Sequence, residues 1–368
     1  MKRALFGVAL GLGIGLRLYV AFADDERRAD ETWRYAPLAE NLRAGEGFSI
    51  HGRPTAQSLP LWPVLLAAWP RDVRPELLSA ALSVATMLLA WRVAHRLAGP
   101  KVALAVFCLM AVDLDQVVLA GTILTEPLYG FLVALFALAW VEKRILYAAF
   151  ALALAVLVRP EPFLFPFAIF LWDRSIARAG ILVGACVVAL LPWWVRNADT
   201  FGTFLPFTTT GGMTATAGMN EGEEDLAFRS KGQGCAPNWK EIVNVAPDRD
   251  EVADDRELMR QALAYARANP LEALQITAAK AMLLWTPVQR KDTSAVYALA
   301  VLFAWWGIFK GVRFKPPLVG PLLCVMTFVG LCFLAIPRYR APYHAFAFLL
   351  AAAAVPRLAR IDPEAAST

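Results

Sequence analysis

Asp30 and Glu31 are adjacent carboxylates that directly follow the first apolar stretch, in ADETWRYAPLAENLRAGEGF. Glu126 opens a later apolar run in LTEPLYGF, and Glu161 stands beside Arg159 in RPEPFLFP. Cations accompany them: Arg17 within the first apolar run, Arg53 in the polar stretch after it, Lys280 in LEALQITAAKAMLLW, and Arg338 and Arg340 in PRYRAPYH. A positioned carboxylate takes a proton from an attacking hydroxyl, and cations stabilise anionic charge. Each residue also has a plainer reading. Asp30 fits the N-cap of a helix beginning near Thr32, and Glu31 a first-turn acid favoured by the helix dipole. Glu126 fits a cap before Pro127 at the first helical position, and Arg338 and Arg340 fit anchors reaching to lipid headgroups. What distinguishes the group is its placement, because an ionisable side chain at a bilayer edge is costly to hold there and is a functional hypothesis by default.

The elements that must position these residues are membrane spans. The chain has 368 residues, 58% of them hydrophobic, with a mean hydropathy of +0.49. Apolar runs near the length of a bilayer crossing recur from end to end, which predicts an all-α polytopic membrane protein. Spans are expected at 4–23, 76–98, 102–118, 126–141, 145–158, 161–172, 179–196, 293–309, 317–336 and 343–357. Basic clusters at Lys2/Arg3, Arg92/Arg96/Lys101, Lys143/Arg144, Arg174/Arg178, Lys310/Arg313/Lys315 and Arg357/Arg360 all fall on one side of this arrangement. The positive-inside rule makes that side cytoplasmic. About ten spans with both termini inside result, in the cell's inner (plasma) membrane. One transmembrane unit is expected over 1–358, with a cytoplasmic tail at 359–368. Two long segments, 24–75 and 198–292, are then left on the outer face, with the reactive residues gathered at that boundary. The first 25 residues also fit a cleavable signal peptide, and Arg17 and the further spans favour a retained helix.

In the second outer segment, TTTGGMTATAGMNEGEED has the composition of exposed turns. DDRELMRQALAYARA reads as a polar helix, and LEALQITAAKAMLLW as an amphipathic helix along the membrane surface. The net charge of +5 is dispersed in short clusters, which argues against nucleic-acid binding. Four of the five cysteines lie in apolar segments and Cys235 stands alone in a polar loop, so no disulfide framework is expected. The histidines, His51, His95 and His344, are scattered, which argues against a His-based metal site. GLGIG in the first span reads as close helix packing. Asp113 and Asp115, near the outer end of the third span, suggest a second polar cluster.

Taken in order, DETWRYAPLAENLRAGEGF, LPLWPVLLA, LTEPLYGFL, LVRPEPFLFP, LPWWVRNADTFGTFLPFTTTGG…AGMN and PRYRAPYHAFAFLLAA resemble the GT-C superfamily of membrane glycosyltransferases. The resemblance is to the branch of protein O-mannosyltransferases and bacterial aminoarabinose or mannose transferases. The resemblance covers nearly the whole chain, although each piece alone is loose. It implies transfer of a sugar from a polyprenyl-phosphate donor to an acceptor hydroxyl at the outer face of the lipid bilayer. Direct displacement with inversion follows from a single base opposite a ready-made leaving group. The resemblance implies Asp30 as catalytic base and Glu126 as a second acidic site residue. Here Asp30 is five residues before Tyr35 and Glu31 four, whereas four is the usual spacing, so the base is one of the two. Where the lipid-A-modifying branch has a basic residue before its LPLWP equivalent, this chain has Gln57-Ser58. The donor phosphate then falls to Arg17, Arg53, Arg159, Lys280, Arg338 and Arg340. No obligatory metal cofactor is implied, although another GT-C branch uses a divalent cation near its acids. The donor sugar and the acceptor, whether protein, lipid or glycan, are left open. A polyprenyl-lipid flippase or transporter is the alternative, and it fits less well because the charges gather at one edge and no internal repeat is present.

Overall fold

In the computed structural model, residues 2–23, 29–220, 250–285, 295–333, 337–355 and 358 are described. The chain is almost entirely helical there, and one two-stranded antiparallel hairpin, β1 (Ser49–Ile50) with β2 (Arg53–Pro54), is the sheet among the described residues. The helices are α1 (Lys2–Phe22), α2 (Ala29–Ala44), α3 (Leu61–Ala68), α4 (Glu76–Val112), α5 (Leu114–Ala120), α6 (Glu126–Val141), α7 (Ile145–Val156), α8 (Phe165–Asp173), α9 (Ile176–Phe201) and α10 (Gly211–Asn220). After them come α11 (Glu251–Ala268), α12 (Pro270–Trp285), α13 (Ala295–Phe309), α14 (Val319–Cys332) and α15 (His344–Ala354). Of these, α1, α4 and α9 are long and apolar enough to cross a membrane, and α6, α7, α13 and α14 are shorter apolar helices.

α4 is two arms. Gly99 takes a positive φ of 84°, and Pro100 follows it. Glycine reaches that conformation without steric cost and proline starts a new helix well, so the pair turns the chain. Arg17 of α1 shows that the arms fold back on each other. Its Nε donates to Ser83 Oγ at 2.8 Å and its Nη2 to the Met110 carbonyl at 2.9 Å. In one continuous helix those residues would stand about 40 Å apart. The second arm is interrupted at Asp113, whose extended backbone separates it from α5, so the expected third span is broken where its buried acid lies.

Short polar bonds brace the stretches around LPLWP and Glu251 onto this bundle. In LPLWP, the Leu61 amide donates to the Leu157 carbonyl at 3.1 Å, and Trp62 Nε1 to the Ile123 carbonyl at 2.7 Å. α3 therefore ties together the turns that carry Arg159 and Glu126. Glu251, in the first turn of α11, accepts from Thr55 Oγ1 at 2.7 Å, the Ala56 amide at 2.6 Å and Thr209 Oγ1 at 3.2 Å. One carboxylate thus fastens the chain at Thr55–Ala56 to α11 and to Thr209.

Two expectations change here. Residues expected to form exposed turns make the helix α10, with Ala215, Thr216, Ala217 and Gly218 buried. Its glycines allow backbone-to-backbone packing: a Cβ on Gly212 would lie 1.9 Å from the Asp255 carbonyl oxygen, and one on Gly218 would lie 1.6 Å from that of Phe333. Asp255 also accepts from the Gly212 amide at 2.6 Å, capping α10, while burial raises the pKa of its carboxyl. Within GLGIG, Gly13 alone packs closely, with Met87 Cε 3.0 Å from a built Cβ, while Gly11 and Gly15 meet nothing within 4 Å. Gly218→Ala is expected to lower stability by about 1–3 kcal/mol through overpacking. Gly11→Ala, a substitution into open space, is expected to be neutral or stabilising. Thermal unfolding of the two variants checks this, and equal midpoints would refute the close approach at Gly218.

Candidate functional site

Two buried polar clusters meet along the segment Pro337–His344. In the first, Glu126 opens α6 with 4% exposure. Its Oε1 lies 3.4 Å from Arg159 Nη2 and 3.8 Å from Arg338 Nε. Arg159 turns its Nε towards Glu161 Oε1 at 3.6 Å. The guanidinium of Arg159 stacks over Tyr339 at 4.6 Å and Tyr129 at 5.4 Å, and the hydroxyls of Tyr129 and Tyr343 pair at 2.6 Å. Burial works against the charge on Arg159, and the Glu161 and Glu126 carboxylates overcome it, holding its pKa above the ordinary arginine value. Glu126 Oε2, Glu161 Oε2 and Arg159 Nη1 are buried without a hydrogen-bond partner among the described residues. Buried polar atoms are nearly always paired, so three unpaired in one cluster mark a place built for more than packing.

The second cluster joins Asp113, Asp115 and Gln116 to Arg340 and His344. His344 Nδ1 and Asp113 Oδ2 are 2.7 Å apart, both residues being fully buried. His344 Nε2 lies 3.8 Å from Asp115 Oδ2, and Arg340 Nη2 lies 3.9 Å from the same oxygen. Tyr297 stacks on the imidazole with ring centres 3.9 Å apart and lies under the Arg340 guanidinium at 4.2 Å. Arg340 Nη1 also donates to the Leu283 carbonyl at 2.8 Å, and Gln116 donates to that of Ala341.

Asp113, Asp115 and His344 offer one ligand atom each within 4.8 Å of one another. This differs from the expectation that scattered histidines would take no part in a metal site. The fit rests on orientation: a bond from Nδ1–H to Asp113 presents the Nε2 lone pair on the Asp115 side, the arrangement by which a carboxylate orients a metal-ligating imidazole. His344 Nε2 and Asp113 Oδ1 have no hydrogen-bond partner among the described residues. The donors therefore suit a small divalent cation, with the Arg340 charge opposing it.

The other anticipated residues are distributed as follows. Asp30 and Glu31 fall in the first turn of α2, and their side chains lie outside the described residues, as do Cys235, Arg290, Lys291 and the tail 359–368. Arg34, one turn along α2, donates to the Gln57 carbonyl at 3.1 Å, and its charge reaches Glu126. Arg53 is exposed in the hairpin. Arg17 and Lys280 are both buried and bonded to backbone carbonyls. Arg17 is buried and bonded to Ser83 and to the Gly13, Met110 and Ala111 carbonyls. Lys280 is buried with Nζ on the Phe333 carbonyl at 2.6 Å, where it caps the end of α14. Sequence reasoning did not find His344 or the tyrosines 129, 339 and 343. PRYRAPYH, which holds Tyr339, Tyr343 and His344, is the local signal for three of them, and Tyr129 lies in LTEPLYGF.

No family model matches the chain, and no curated protein matches it in sequence. Solved structures do match in shape. The apo oligosaccharyltransferase of Archaeoglobus fulgidus aligns over 95% of this chain and 50% of its own, with a TM-score of 0.55 and 13% identity. This chain thus spans about half the length of that enzyme. ArnT from Cupriavidus metallidurans, in a crystal structure bound to undecaprenyl phosphate, aligns over 94% of this chain and 77% of its own, with a TM-score of 0.45 and 12% identity. The chain shares the helical fold of that oligosaccharyltransferase.

Proposed function

We propose that the protein transfers a sugar from a polyprenyl-phosphate donor to an acceptor hydroxyl at the outer face of the membrane, with inversion at the anomeric carbon. Both termini would lie in the cytoplasm. The observation that supports this reading best is the buried cluster of Glu126, Arg159, Glu161 and Arg338, which the charge of Arg34 reaches from α2, the helix that carries Asp30 and Glu31 in its first turn.

In this reading Asp30 or Glu31 takes the proton as the acceptor oxygen forms its bond to C1. The bond from C1 to the phosphate oxygen breaks, and the lipid phosphate departs without needing a proton. Arg159 and Arg338 meet the charge that develops on it. A guanidinium suits this task because it is planar, always charged and able to grip a phosphate with two parallel bonds. Glu126 is then a positioning residue: one oxygen draws both guanidiniums together, so they need little reorganisation during reaction. Arg159 Nη1, buried without a hydrogen-bond partner among the described residues, supports its role as a donor to the phosphate. Asp113, Asp115 and His344 would hold a divalent cation, which would supply further positive charge against the phosphate.

The test is native mass spectrometry of the purified full chain, followed by incubation of the released lipid fraction with protein and candidate acceptors. A bound species with the mass of a polyprenyl-phosphate sugar is expected, consumed as the sugar appears on an acceptor. Movement of that lipid across liposomes with its sugar intact and no transfer would support a flippase and overturn the proposal.

A further inference from the structure

A second concentration of charge lies at the other end of α6, about 24 Å along the helix from Glu126. Glu142 follows the C-terminus of α6 and draws three arginines. Arg96 approaches its Oε1 with Nη2 at 3.0 Å and Nε at 3.2 Å, Arg92 lies at 3.6 Å from the same oxygen, and Arg144 lies at 3.6 Å from Oε2. One carboxylate balances one of these charges, leaving two in excess, with Lys143 exposed beside them. Asp173 is engaged elsewhere, accepting from Arg178 through both oxygens at 3.1 Å.

Stability does not explain this grouping. The three arginine side chains are 45%, 48% and 61% exposed, and exposed ion pairs contribute little, whereas gathering three like charges is unfavourable. Clustered guanidinium forks match a phosphate. The surface running on from them is apolar: the Arg144 guanidinium lies 5.8 Å from the Tyr147 ring, and Leu146, Tyr147 and Phe150 are 73%, 66% and 62% exposed on α7. Basic head and apolar flank together have the shape of a phospholipid.

We infer that Arg92, Arg96 and Arg144 bind the headgroup phosphate of an anionic phospholipid whose acyl chains lie along Leu146, Tyr147 and Phe150. Glu142 gathers the three arginines and, as an internal anion, limits how tightly the lipid is held. In the orientation proposed above, this rim faces the leaflet rich in anionic lipid. The inference does not depend on the transfer reaction, and its test does not measure transfer.

The full chain in detergent is titrated with phosphatidylglycerol or phosphatidylcholine and read by native mass spectrometry. Phosphatidylglycerol is expected to be retained preferentially. Arg92→Gln with Arg96→Gln lowers its retention by roughly 30-fold, taking about fivefold per basic residue at a lipid surface. Glu142→Gln raises retention, a gain that a purely structural ion pair would not give. Arg92→Lys with Arg96→Lys keeps most of the binding, which holds the test open if the glutamine pair fails to fold. Equal retention of the two lipids would overturn the inference. So would unchanged binding in the folded glutamine pair, reduced binding in folded Glu142→Gln, or displacement of the lipid by inorganic phosphate at the same concentration.

Discussion

Asp30→Asn combined with Glu31→Gln is expected to lower sugar transfer by roughly 10²–10⁴-fold, the range that general-base catalysis contributes, with protein level and thermal midpoint unchanged. The stability half of this expectation follows from how α2 is held. Leu38 is fully buried and Tyr35 nearly so, and Arg43 donates to the Ala67 carbonyl at 2.8 Å and the Trp69 carbonyl at 2.7 Å, all C-terminal to the acids. The helix therefore keeps its place when its first turn is neutralised, and a loss of a few tenths of a kcal/mol from the dipole interaction is all that is expected. The single substitutions then separate the roles. The base is the residue whose neutral isostere alone reproduces the loss, and Asp30 is the expected one. Full transfer by the double variant would remove both acids from the mechanism.

Arg159→Met is expected to act on two quantities at once. Transfer falls by roughly 10²–10³-fold, the usual consequence of deleting one stabilising donor from an active site. Stability falls by about 3–5 kcal/mol, because a buried partner is removed and the Glu126 and Glu161 carboxylates are left facing each other. Arg159→Lys separates the effects: it restores a charge to the two carboxylates and recovers much of the stability, but lacks the fork that grips a phosphate. A lysine variant with wild-type transfer would argue against phosphate recognition by Arg159. The pH behaviour has a definite sign. The pKa of Arg159 is raised above the ordinary arginine value, so its contribution is fully present at neutral pH and is lost only as pH rises through that raised value, beyond the alkaline conditions of an assay.

Much of the bundle could be read from the sequence, because lipid demands long uninterrupted apolar runs with their backbone bonds satisfied internally. Apolar helices run through most of the described residues of the expected spans, α1, α4 and α9 being long enough to cross a membrane, and Gly99-Pro100 marks the turn between the arms of α4. LPLWP was recognisable as a motif, and its physical meaning, two bonds bracing the Glu126 and Arg159 turns, emerged with the fold. What could not be read is contact between distant residues. Asp113 and His344 are 231 positions apart, and no local pattern announces their pairing. α10 misled for a related reason: glycine and threonine favour turns in isolation, and the close approach of α11 and α14, which only glycine permits, makes them a buried helix. Lys280 shows the limit of amphipathicity, which assigns a helix a face without saying which cation turns inward to cap a neighbour.

The segment from Arg338 to His344 serves the two clusters in alternation. Arg338 and Tyr343 belong with Glu126 and Arg159, while Arg340 and His344 belong with Asp115 and Asp113. Its length is therefore a stricter requirement than its composition. Exchanging one tyrosine or arginine disturbs one cluster, but deleting a single residue between Tyr339 and Pro342 shifts the downstream side chains out of phase and unmakes both clusters together. In engineering terms the stretch is a frame: it can be recoded position by position, and it cannot be shortened.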